Sequence, residues 1–332
     1  MRYIIVLPIL IVLFAMNIFC GSISIPPSKV IEVLLDAVAG NAPNYTDTIA
    51  YIILENRLPQ AIVATLCGAA LSVAGLLLQT AFRNPLAGPS IFGITSGASL
   101  AVALVTLLIG GSVSAIGMQL TVFGAAFVGA SIVTAMVLAL SAVVRSNVML
   151  LIVGIMIGYI SSSAITLLNY FASADGMRNF MLWGMGSFGD VSLSQLPLFS
   201  VLSILGIIAS LMLIKPLNTM LLGDRYAENL GINIRKVRNQ LLLTTGLLTA
   251  VATAYCGPVA FVGLAVPHIA RLLTKTENHR TLLPATIFWG SAVALLCNFI
   301  STLPTDGTLL PINAITPLIG APIIIYVIIM KK

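Results

Sequence analysis

Eight long stretches of the chain carry no Asp, Glu, Lys or Arg, and they decide most of what it can fold into. They are Tyr3–Ser28, Leu58–Phe82, Asn84–Val144, Ser146–Ala174, Val191–Ile214, Asn239–Ala270, Thr281–Thr305 and Gly307–Met330. A helix needs about 20 apolar residues to cross the roughly 30 Å of hydrocarbon in a bilayer, and it satisfies its own backbone groups while doing so. Two of the runs are too long for one crossing. Asn84–Val144 breaks at Gly110-Gly111-Ser112, and Asn239–Ala270 breaks at Gly257-Pro258. The expectation is therefore an all-α polytopic membrane protein with about ten transmembrane helices, forming a single domain over residues 1–332. A mean hydropathy of +1.09 and a charged fraction of 8% exclude an ordinary soluble domain.

The distribution of basic residues tests that topology. With the N-terminus inside, only Lys29, Arg57 and Arg178 fall outside. Arg2, Arg83, Arg145, Lys215, Arg225, Arg235, Lys236, Arg238, Arg271, Lys275, Arg280, Lys331 and Lys332 fall on the cytoplasmic side, as the positive-inside rule demands. Phe19 before Cys20 argues against lipoprotein processing, and no A-x-A site follows, so Tyr3–Phe19 reads as an uncleaved first span. Between the first two spans, Gly21–Asn56 is too polar to cross. Within it, Val30 to Leu35 suggests an interfacial amphipathic helix capped by Ser28. Gly176–Phe188, with Trp183, reads as an interfacial anchor, the other reading being a substrate-touching lip.

Inside the spans, Gly68, Ser72, Gly75, Gly124, Gly129 and Gly154 are explained by close helix packing. Ser161, Ser162 and Ser163 in the fifth span either pack or line a wet passage. A short echo, Ala87–Gly93 against Cys256–Gly263, has the form of an inverted repeat with one copy at each membrane face. Cys20, Cys67, Cys256 and Cys297 lie in or at the end of apolar runs without paired spacing, so they read as small hydrophobes; no disulfide or metal site is expected.

Chemistry is sparse. There is no G-x-x-x-x-G-K-[ST] loop to bind ATP, and the acidic residues all fall in loops or at span ends, which weakens a proton- or sodium-driven carrier. Ser96 and His268 are the only hints of a membrane hydrolase; the serine lies outside a G-x-S-x-G spacing and the histidine lacks a partnering acid. What remains is one charged island, Leu222–Arg238. It reads as two short helical turns, Arg225–Leu230 and Ile234–Arg238, hinged at Gly231-Ile232-Asn233 on the cytoplasmic side, and it has the character of a docking surface.

Several motifs together resemble the FecCD-type permeases of type II ABC importers for iron chelates and cobalamin. They are Arg57-Leu58-Pro59-Gln60, Arg83–Leu100, Leu222–Arg238, Gly257–Leu273 and Thr316–Val327. The resemblance covers nearly the whole chain. It implies the ABC type II importer permease fold, and a homodimer in the bacterial inner membrane with both termini cytoplasmic. It further implies two ABC ATPase subunits that hold ATP and Mg, an extracytoplasmic substrate-binding protein, no nucleic acid, and no cofactor or metal bound by this chain. Carried across by motif, the ATPase-coupling residues are Gly223, Asp224, Arg225, Ala227, Leu230 and Gly231. The cytoplasmic gate is Asn84 and Leu86, joined by Ser146 and Asn147, and Arg57 docks the binding protein. The chain departs from the family pattern at its outer surface. Gln60 stands where a second arginine is usual, and another arginine is missing around Asn298–Leu303, so docking is expected to rest on Arg57, Lys29 or Arg178, or on a less charged partner. The alternative reading is a self-contained secondary transporter or channel.

Overall fold

The computed structural model describes residues 3–40, 48–109, 115–144, 146–303 and 309–330. The expected break at Gly110-Gly111-Ser112, the Thr305/Gly307 boundary, and the charges Arg2, Arg145, Lys331 and Lys332 lie outside the described residues. So do the side chains of Asn147 and Asp224.

Among the described residues the structure is helical and contains no strand. In order the helices are α1 (Tyr3–Phe19), α2 (Pro27–Val38), α3 (Thr48–Tyr51), α4 (Leu58–Phe82), α5 (Ile94–Ile109), α6 (Ala115–Val143), α7 (Asn147–Phe171), α8 (Ala174–Gly184), α9 (Leu196–Met212), α10 (Ile214–Met220), α11 (Asp224–Asn229), α12 (Ile234–Cys256), α13 (Val262–Thr274), α14 (His279–Ser301) and α15 (Ile312–Met330). Local sequence sets many of these starts. Proline, whose missing N–H costs nothing in a first turn, opens α2, α4 and α9. Side-chain oxygens of Ser146, Ser173, Asn233 and Asn278 accept first-turn N–H groups of α7, α8, α12 and α14. The amphipathic α2 lies where the sequence placed it, but Pro27 begins it and Ser28 does not cap it.

Each expected crossing coincides in position with a helix, yet the helices are unequal. Thr48–Phe82, Gln119–Val143, Val148–Phe171 and His279–Ser301 are long and apolar enough to cross a membrane alone, and α9 with α10 forms a fifth candidate bent by 49°. Thr48–Phe82 is continuous because a π-helical turn, Ile52–Arg57, joins α3 to α4; part of the expected outer loop is thus helix. The charged first turns of α12 keep it out of that set, while α5 and α13, at 16 and 13 residues, rise only about 24 and 20 Å.

The shortness of α5 and α13 has one cause: both begin half-way through the bundle. The loop after α4 turns inward before α5 starts, and Gly257–Phe261 turns inward before α13 starts. They meet beside Leu71, midway along α4: a Cβ on Gly263 would stand 2.8 Å from Leu71 O and 3.4 Å from Pro89 Cδ. The inner parts of the two echo segments, Gly88–Ile91 and Val259–Phe261 with Gly263, line one shared cavity, whereas Gly257 stands against Trp183 O and Gly186.

α4 is the hub, packed by α9, α12, α13 and α14. Its small residues let backbones touch: a Cβ on Gly68 would lie 2.3 Å from Gly290 O, and one on Gly75 only 1.6 Å from Gly263 O. Cys67, Cys256 and Cys297 are buried as expected, whereas Cys20 is exposed. Trp183 is half-buried against the core and stacked on Phe180 at 6.3 Å.

Candidate coupling and gating site

The charged island is a clipped hairpin. Gly223 (φ 113°) and Gly231 (φ 82°) take left-handed conformations at either end of α11, which side chains with a Cβ rarely adopt. Between them Ala227 is fully buried; its N–H bonds Gly223 O at 2.9 Å and its carbonyl accepts from Ile232 N–H at 3.0 Å. The expected second short turn is a correction: Ile234–Arg238 is the first turn of the 23-residue α12, capped by Asn233. Ile234 and Val237 are buried in the same apolar core as Ala227. The hairpin is thus held from beneath, while Arg225, Tyr226, Leu230 and Leu222 face outward, Tyr226 at 55% exposed. Tyr226 and Leu222 escaped the sequence reading. Their signal was there: Leu222, Tyr226 and Leu230 recur every four residues, the spacing of one helix face.

The candidate gate loop begins where Arg83 (φ 47°) closes α4. Asn84 Oδ1 accepts the Leu86 N–H at 2.9 Å, and Asn84 O accepts from Ala87 N–H at 3.0 Å, so a local turn thrusts Leu86 out, 45% exposed. Phe92 roots the far end, its ring centroid 4.5 Å from that of Phe82. Ser146 caps α7 through Met149 N–H, and Asn147 is the first residue of that helix. Among the described residues Ser146 makes no hydrogen bond to the Asn84–Leu86 turn.

Side chains join α10, which leads into the hairpin, to the helix ends around the loop. Arg83 Nη2 donates to the carbonyl of Met220, the last residue of α10, at 3.1 Å. On α10, Asn218 Oδ1 accepts from the His279 backbone at 2.8 Å and lies 3.0 Å from its Nδ1; Nε2 of that ring is 2.9 Å from Thr80 Oγ1 on α4. A neutral ring carrying its proton on Nδ1 satisfies both contacts. His268 Nε2 donates to Pro85 O at 2.8 Å, and the Arg271 guanidinium donates to Gln79 and to Glu277. A cavity of about 210 Å³ lies where these groups converge, lined by Arg83, Pro85, Met220 and His268 among others. His268 therefore holds the Pro85 turn through its carbonyl.

The opposite end corrects the reading of Arg57. It is 5% exposed and donates to Ile18 O at 3.0 Å, to Phe19 O at 3.1 Å, and to Ile23 O. The guanidinium caps the C-terminal carbonyls of α1 and is not a free docking cation in this conformation. Of the other outer basic residues, Arg178 is exposed and Lys29 pairs with Glu32 at 3.1 Å on the surface. Gln60, where one family arginine is missing, meets the first residue of the Asn298–Leu303 stretch where another is. Gln60 Nε2 donates to Asn298 Oδ1 at 3.0 Å, and Asn298 Nδ2 donates to Asn17 Oδ1 at 2.8 Å, so buried neutral amides link α1, α4 and α14. Gln60 and Asn298 line a cavity of about 700 Å³ at that end together with Trp183 and Asp190. Partial burial raises the Asp190 carboxyl above its ordinary range, and a Ser187 hydrogen bond draws it part of the way back.

An exposed hairpin, led into by an α10 that is tied to the ends of α4 and α14, beside a turn-closed loop held by α13, in a bundle of apolar helices, fits one class: a polytopic helical transport subunit. The sequence matches the FecCD transport family over residues 9–330, and the chain belongs to that family. It is 33% identical over 287 residues to the hemin transport system permease protein HmuU of Yersinia pestis, covering 86% of this chain and 85% of that one. It is 37% identical over 278 residues to the vitamin B12 import system permease protein BtuC of Serratia proteamaculans, covering 83% and 81%. Among solved structures, a metal-chelate-type ABC transporter in an inward-facing conformation superposes with a TM-score of 0.84 at 27% identity, covering 98% of this chain and 97% of that one.

Proposed function

We propose that the chain is the permease subunit of an ATP-driven importer, working as a homodimer in the bacterial inner membrane to carry a metal chelate of the haem, siderophore or cobalamin kind inward. Ten crossings, both termini cytoplasmic, two ATPase subunits holding ATP and Mg, and an extracytoplasmic binding protein complete the reading. The observation that carries it is the contact between Arg83, which precedes the gate residues, and Met220 at the end of α10, whose carbonyl also accepts from Gly223 at the head of the hairpin, in a chain whose relatives named above are transport and import permeases.

The mechanism follows from that link. The exposed face of Leu222, Arg225, Tyr226 and Leu230 seats in a cleft of the ATPase, with Gly223, Asp224, Ala227 and Gly231 shaping the hairpin. When nucleotide moves the ATPase, the hairpin moves as a unit, because Ala227, Ile234 and Val237 are packed into the core. Displacement of Met220 pulls on Arg83, the residue before Asn84, and shifts Leu86 into or out of the path. Ser146 and Asn147, at the head of α7, form the facing side of the gate. At the outer surface, exposed Arg178 is better placed than Arg57 to meet a carboxylate of the binding protein.

ATP-dependent, vanadate-sensitive uptake in proteoliposomes containing all three components is the expected result. Solute accumulation by the purified chain without any ATPase would instead favour a self-contained secondary transporter. Within the assembled importer, Arg83→Gln keeps ATP hydrolysis near its normal rate but lowers coupled uptake about tenfold, the effect of losing one charge-assisted hydrogen bond. Undiminished uptake per ATP in that variant would remove Arg83 from the mechanism.

A further inference from the structure

The meeting point of the two half-length helices has the chemistry of an anion site. The N-termini of α5 and α13 converge on a cavity of about 150 Å³ lined by Gly88, Ser90, Thr95, Phe261 and Gly263, among others, beside Leu71 at the middle of α4. Each helix start carries about half a positive charge, so two facing one cavity supply roughly one unit without any Lys or Arg. Two backbone donors of the lining stand unused: among the described residues the N–H groups of Thr95 on α5 and of Gly263 on α13 have no hydrogen-bond partner. An independent feature points the same way. Thr95 is 8% exposed, lines the cavity, and its hydroxyl has no hydrogen-bond partner among the described residues. Unpaired donors gathered in a low-dielectric interior are costly unless something fills the space between them.

We propose that this cavity is a subsite for a single oxyanion, a carboxylate in the first instance, bound by Thr95 Oγ1 and the free N–H groups of the two helix starts. The proposal rests on the transport reading for its purpose. Flanked by α7, which packs on α5, and by α15, which packs on α13, the cavity would give an anionic group of the cargo a resting place half-way through. Binding by dipoles rather than by a fixed charge keeps that stop shallow enough for release. No acidic side chain lines the cavity to repel the anion.

Selenate serves as the probe because its selenium is visible by anomalous diffraction and its oxygens mimic a carboxylate's acceptors. The full permease, titrated in detergent and crystallised with sodium selenate, is expected to show one anomalous peak between Thr95 and Gly263 and saturable thermal stabilisation. Thr95→Val, nearly equal in volume, weakens that binding about tenfold, while Thr121→Val on α6 leaves it unchanged. Absence of the peak, or equal affinity in Thr95→Val, overturns the proposal. Haemin and its dimethyl ester identify the natural source. Displacement of selenate by the acid alone assigns the site to a cargo carboxylate, whereas displacement by neither assigns it to a free inorganic oxyanion, and both results uphold the oxyanion chemistry. The measurement needs no ATPase, so loss of ATP-coupled uptake with selenate binding intact would fault the transport reading and not the site.

Discussion

α4 and α7 are alike in composition and opposite in circumstance. Each has 25 residues and lies in a stretch apolar enough to cross a membrane, yet 83% of the most apolar window of Thr48–Phe82 is buried and only 22% of that of Val148–Phe171. Hydropathy reports that a helix tolerates hydrocarbon; it does not report whether lipid or protein supplies it. The distinguishing feature is how the small residues are used. α4 spends Gly68, Ser72 and Gly75 on backbone contact with two different helices, α14 and α13. In α7 Gly154 closes against Ile91 O and Phe92, while Gly158 has only ordinary contact with Ser96. Ile152, Tyr159, Ile160, Ser162 and Ser163 stay uncovered.

The largest effect expected from this contrast is at Gly75. In Gly75→Val the new Cβ would stand 1.6 Å from Gly263 O, a backbone atom with no flexible end to give way. Folded protein should be lost or destabilised by more than about 3 kcal/mol. In Gly158→Ala the first atom met is Ser96 Oγ at 3.5 Å, and stability should stay within about 0.5 kcal/mol. Thermal midpoints in detergent compare the two directly. Similar midpoints would mean that burial does not separate these helices.

A smaller effect is expected at the head of the hub. Arg57→Gln leaves the α1 carbonyls that the guanidinium now serves, at Ile18 and Phe19, poorly satisfied in a buried place. A loss of about 3 kcal/mol follows. Lys29→Gln removes only a surface pair with Glu32 and should cost no more than about 1 kcal/mol. If the two variants unfold together, Arg57 is not a structural cap, and the docking role returns to it.

These cases show what the sequence could and could not disclose. Charge-free runs announce helices because the medium leaves the backbone no other partner, and the positions of the long ones were legible for that reason. Where a helix starts within a run was not. Gly88-Pro89 and Gly257-Pro258 break two runs without any polar signal that they break at mid-depth, so α5 looked like a full crossing and α13 like a shortened one. The island at Leu222–Arg238 was legible as charge among hydrocarbon, whereas its apolar face of Leu222, Tyr226 and Leu230 was hidden by the charges between them. Arg57 misled because its motif named a surface residue, while its carbonyl acceptors sit some forty positions earlier in the chain. Likewise His268 lacked any acid to suggest a role, because its partner is the backbone of Pro85.

The subtlest test asks what covers α7. Ser162 and Ser163 are exposed and their hydroxyls make no hydrogen bond among the described residues. Facing lipid, each would forfeit the hydrogen bonds that water provides, a cost of roughly 1–3 kcal/mol per group; facing a wet path between two subunits, neither would. Leu205 on α9 is comparably exposed, at 53%, but carries nothing that prefers water. With Cys20 replaced by Ser, single cysteines at Ser162, Ser163 and Leu205 can be challenged with a membrane-impermeant methanethiosulfonate in the assembled transporter. Thiolate forms only where water reaches the sulfur, so modification at 162 and 163 should be about tenfold faster than at 205, the ratio expected for ~1.4 kcal/mol of differential solvation. Equal, slow rates at all three would place the open face of α7 in lipid, and its low burial would then mark an outer wall of the bundle, not the path.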